Sequence, residues 1–116
     1  MEVIIAGPRG MRLRTIVPES RVERARGLLG GPAPRHDRAL LLERARSIHT
    51  FGMRSEIRVA LLDDGFVVVR VLDLPPGRLV LPRRRTRHVL ECSRRADVRN
   101  GDQLCVTRSP PDRWSR

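Results

Sequence analysis

The chain has 116 residues and a formal net charge of +11, and all 24 of its basic residues are arginine. A chain of this length forms one domain and buries about two-thirds of its unfolded surface, so folding requires no disulfide or metal. Phe51, Phe66 and Trp114 are the only aromatic residues, which excludes the ring platform on which single-stranded nucleic acid stacks.

The absence of lysine reads as a coding bias, so the charge by itself is not evidence of function. It still implies weak attraction to polyanions at low salt. The opening MEVIIAGPRGMRLR has an acid at position 2 and an apolar run of only four residues, Val3 to Ala6. That is not a secretory signal. No apolar stretch approaches the roughly 20 residues that span a bilayer. The expectation is a cytoplasmic protein without membrane attachment, with Cys92 and Cys105 reduced.

In chain order, VIIA (3–6) and MRLRTIV (11–17) read as a hairpin turned by GPRG, with Met11, Leu13, Thr15 and Val17 on one face. The spacing of Val22, Ala25, Leu28 and Leu29 predicts a helix near residues 19–29, opened by Pro18 and Ser20 and released by Gly27 or Gly30. GGPAPRHDR is a loop and ALLLE (39–43) a short buried strand. SEIRVALLD (55–63) and FVVVRVLDL (66–74) flank an Asp-Gly turn and form the strongest hairpin signal. RLVLP, HVLEC and QLCVT are further strands, and SPPDRWSR (109–116) is a polar tail. About seven short strands and one helix predict a mainly β fold. Its expected form is a small, mostly antiparallel sheet or partly closed barrel over residues 1–108, with the helix packed on it.

Three blocks carry a resemblance. ERARGLLG (23–30), LLLERARSIHTFGMRSEIRVALLDDGFVVV (40–69) and LPRRRTRHVLE (81–91) with NGDQL (100–104) are similar to the bacterial and archaeal family catalogued as domain of unknown function 192. The likeness runs from about Met11 to Val106. It implies a compact β-rich domain and no agreed reaction. Many relatives have cysteine where this chain has Ala45, proline where it has Glu56 and aspartate where it has Arg58. A ligand set using that cysteine or aspartate would be incomplete here.

SIHTFGM (47–53) concentrates chemistry, and His49, Thr50 and Met53 are candidate ligand-binding residues there. His49 and Met53 would suit a soft metal ion only with a further ligand, and Ala45 cannot supply one. The expectation is no metal and no cofactor, with Met53 in the core. Glu91, inside an apolar strand, is a fourth candidate, either ion-paired with an arginine such as Arg24 or a general acid. No nucleophile stands in a catalytic pattern, and Cys92 and Cys105 read as buried thiols on neighbouring strands. Arg83, Arg84, Arg85 and Arg87, with Arg94 and Arg95, are phosphate or polyanion candidates if they converge on one face. Three functions follow: a non-enzymatic binding or accessory domain, an enzymatic or metal-dependent site centred on His49, or an arginine-mediated binder of phosphate or nucleic acid.

Overall fold

The computed structural model describes residues 1–19, 34–50 and 53–108. The helix expected near 19–29 lies, from Ser20 onward, outside these residues, as does the tail 109–116. Among the described residues there is no α-helix, and the fold is built from short strands.

β1 (Glu2–Ala6) and β2 (Arg12–Ile16) form the first hairpin, and β3 (Arg38–Leu42) lies parallel to β2. β4 (Ile48–His49) is followed by the long hairpin of β5 (Ile57–Leu62) and β6 (Val68–Leu74). β7 (Leu79–Val80), β8 (His88–Cys92) and β9 (Cys105–Arg108) complete the chain. Seven strands form one sheet in the order β6-β5-β8-β3-β2-β1-β9, and β4 and β7 pair as a separate ribbon. Every pairing except β2–β3 is antiparallel.

The sheet curls until its two end strands meet at one corner. Val67 bridges Gln103, the Val68 amide donates to Asp102 O at 2.9 Å, and the Leu104 amide donates to Phe66 O at 3.0 Å. The barrel is therefore closed at the start of β6 and open along the rest of that strand. A clamp holds the closing loop. Arg9, in the turn between β1 and β2, donates to both carboxylate oxygens of Asp102 at 2.6 and 3.2 Å and to Asp97 at 3.0 Å. Arg9 sits at φ 63°, a conformation unfavourable for a side chain with a Cβ, and this paired guanidinium holds it there.

Alternation along the strands sorts the apolar side chains into two layers. Val3, Ile5, Leu13, Leu41, Leu62 and Leu90 fill the barrel interior. Leu40, Ile57, Val59, Leu61 and Val89 lie on the other face, with Val80 of β7 packed against them. β5 is buried on both faces, from Val59 through Leu62. That is why its sequence is a continuous apolar run rather than a strict alternation. The expected inward set Met11, Leu13, Thr15 and Val17 is buried throughout.

Candidate functional site

The His49 segment is tied into the fold through Thr50. β4 pairs Ile48 with Val80 and His49 with Leu79. Ile48 faces the outer apolar layer while His49 is exposed. Thr50 is fully buried. Its hydroxyl donates to Pro75 O at 2.7 Å and accepts from the Arg78 amide at 2.8 Å. Its own amide donates to Arg78 O at 2.8 Å, and its carbonyl accepts from Gly77 at 3.0 Å. Thr50 therefore clamps the Pro-Pro-Gly turn that leads into β7. Met53 is buried with Ile48 and Val80 in the outer layer. The segment presents one exposed imidazole and a set of packing groups. Among the described residues no trio of histidine, cysteine or acid is grouped to hold a metal ion.

Glu91 lies on the outward face of β8, with Leu40 opposite it on β3 and Val59 opposite it on β5. It is 4% exposed, and its Oε2 has no hydrogen-bond partner. Burial among aliphatic neighbours pushes its carboxyl up to about 7. The expected partner Arg24 lies outside the described residues.

The arginine candidates divide. Arg83–Arg87 precede β8 and Arg94–Arg95 follow it, so a five-residue strand, about 16 Å at roughly 3.3 Å per residue, separates them. They do not converge. Arg84, Arg85 and Arg87 share a shallow 250 Å³ depression with Asp63, Asp64 and Gly65 of the β5–β6 turn. Arg87 also spends its guanidinium on the carbonyls of Arg84 and Thr86. Arg94 pairs with Glu56 at 3.1 Å.

Of the two thiols, Cys92 is buried as expected and Cys105 is not. Cys92 is buried in the barrel, and burial pushes its thiol up to about 12. Cys105 is exposed, because it stands opposite Ala6 on the outer side of β9. β3, β2 and β1 lie between the two strands.

Two features escape the sequence reading. His88 is buried against Phe66, ring centroids 4.6 Å apart, and its Nδ1 accepts from the Arg44 amide at 3.1 Å. Burial lowers its pKa below the usual histidine value. The neutral ring, accepting at Nδ1, carries its proton on Nε2. Phe66 and Arg44 both adopt positive φ, 64° and 56°, so both strained residues converge on this imidazole. The second feature is a groove of about 510 Å³ on the outer side of β6. Leu72, Leu74 and Val80 line it, Leu79 and Leu81 flank it at 57% and 66% exposure, and Arg70 and Arg83 stand beside them. Neither guanidinium has an ion-pair partner among the described residues. Apolar residues in succession at 79–81 predicted a strand. Which of them would lie open depended on how β7 packs over β6, which no local pattern encodes.

Two solved structures share the fold. A protein of unknown function from Novosphingobium aromaticivorans superposes with a TM-score of 0.74 at 16% identity, over 90% of this chain and 84% of that one. A proposed transcription regulator from Sinorhizobium meliloti superposes with a TM-score of 0.73 at 16% identity, over 90% of this chain and 92% of that one. No family model matches the chain. No curated protein matches it either.

Proposed function

We propose that residues 1–108 form a single non-enzymatic binding or accessory domain of the family catalogued as domain of unknown function 192, and that the β6–β7 groove is its binding surface. The observation that carries this reading is the groove itself: exposed Leu79 and Leu81 beside two arginines without ion-pair partners among the described residues. An apolar floor with a few charged groups at its margin is the usual make-up of a ligand site. Several competing candidates are already committed. Thr50 and Met53 are used in packing, His88 in plugging the barrel beside Phe66, and Arg84, Arg85 and Arg87 face two aspartates. The family assignment is supported by the three sequence blocks and by the mostly β architecture they imply.

The test uses anilinonaphthalene sulfonate, a small apolar anion, titrated into the isotopically labelled protein. Amide shifts concentrated at 70–74 and 79–83, and lost in the Leu79→Ser/Leu81→Ser double variant, support the reading. Shifts concentrated around His49 or around Asp63 and Arg87 overturn it.

A further inference from the structure

We infer that the groove and the open edge of β6 together take an extended, acidic and apolar segment of a partner protein as an added strand. The inference rests on the groove being the binding surface and goes on to name its occupant. Three observations converge on it.

The first is the edge. β6 is the terminal strand of the sheet, and among the described residues its far side is paired only at the barrel corner, around Val67 and Val68. From Val69 to Leu74 it presents backbone donors and acceptors of the kind that recruit another strand. The second is the groove beside that edge. An added strand places alternate side chains on one face, and those on the outer side would meet Leu72, Leu74, Leu79 and Leu81. The third is charge. Arg70 and Arg83 line the same groove, so an acidic residue in the incoming segment gains a bidentate partner that no described residue supplies.

The same charge argues against other occupants. A second copy of this chain carries the same +11 and the same arginine rim. The chain's own last residues, SPPDRWSR, contain two prolines and two arginines. Proline lacks the amide needed for edge pairing, and the arginines repel the rim.

The probe is an acetylated and amidated peptide alternating glutamate with valine and leucine, titrated by fluorescence polarisation and by amide shifts. Binding is expected with shifts at 69–74 and 79–83. Methylating alternate peptide amides on the edge-facing side should weaken it by at least about tenfold, since edge pairing uses those groups. The Arg70→Glu/Arg83→Glu variant, changed at partly or fully exposed positions, should lose the acidic peptide and gain its lysine counterpart. The inference is overturned if methylation has no effect, if the charge reversal fails to switch preference, or if the free protein self-associates through this edge. It is also overturned if laurate binds the groove and the peptide does not. Failure of the peptide while anilinonaphthalene sulfonate still finds the groove removes the added strand and leaves the binding surface standing.

Discussion

Glu91 gives the sharpest quantitative test. Its carboxyl is pushed up to about 7 from an ordinary 4.5 because Leu40 and Val59 flank it in register and Oε2 has no partner. Below 4.5 the group is protonated in both folded and unfolded chains and contributes no pH dependence. As pH rises from 4.5 towards 7, the unfolded chain releases this proton while the folded chain keeps it, so stability falls. Above about 7 both forms are ionised and the deficit levels off. At about 1.4 kcal/mol per pH unit the loss is on the order of 3 kcal/mol. His88 works in the opposite direction. Its folded pKa is lowered by burial, so stability rises with pH up to the ordinary histidine value of 6.5. The comparison of wild type with Glu91→Gln isolates the carboxylate, because His88 is common to both. Urea unfolding from about pH 4 to about pH 8 should show the two proteins similar at the acid end. At the alkaline end the variant should be the more stable by about 2 to 4 kcal/mol. Asp73, Asp97 and Asp102 have lowered pKa values through their arginine partners. Their stabilisation is lost only below the ordinary carboxylate range, outside this window. Parallel stability curves, or a wild type that gains on the variant as pH rises, would refute the reasoning.

Thr50→Val keeps the shape but removes the hydroxyl that serves Pro75 O and the Arg78 amide; a loss of about 1–3 kcal/mol in urea unfolding is expected, with Thr50→Ser retaining most of the stability. Arg58 grips Asp73 through two bonds of 2.8 and 3.0 Å; a double-mutant cycle to alanine should return a coupling of about 1 kcal/mol that shrinks with added salt. A thiol reagent should label Cys105 in the native protein and Cys92 only after unfolding, as mass spectrometry of quenched samples will show.

The strands were legible because their signals are local. Asp63-Asp64-Gly65 encodes its own turn: the Asp63 carboxylate accepts from the Gly65 and Val67 amides at 2.9 Å each. The run from Val59 to Leu62 is apolar on both faces because it is covered on both. The site was less legible. His49, Thr50 and Met53 looked like a cluster because they are close in sequence, but Thr50 and Met53 are buried while His49 is exposed. The arginines looked like one patch because they are close in sequence, yet β8 carries them apart. The exposure of Cys105 depended on β9 joining the sheet beside β1 rather than beside β8. Strand order is a long-range property, and periodicity does not report it.

Ala45, Glu56 and Arg58 each meet neighbours elsewhere in the fold. Arg58 is compensated by Asp73 across the β5–β6 ladder and by Ala96 O, in the loop after β8, which accepts from Nη1 at 2.9 Å. Glu56 meets Arg94 at 3.1 Å. Ala45 packs against the outer apolar layer. Among the described residues, the buried side-chain atoms without hydrogen-bond partners are Asp37 Oδ1, Thr86 Oγ1 and Glu91 Oε2. Glu91 is the one of the three whose isolation follows from an aliphatic setting on both flanking strands. Burial there favours the protonated carboxyl, on the same outward face as the groove between β6 and β7.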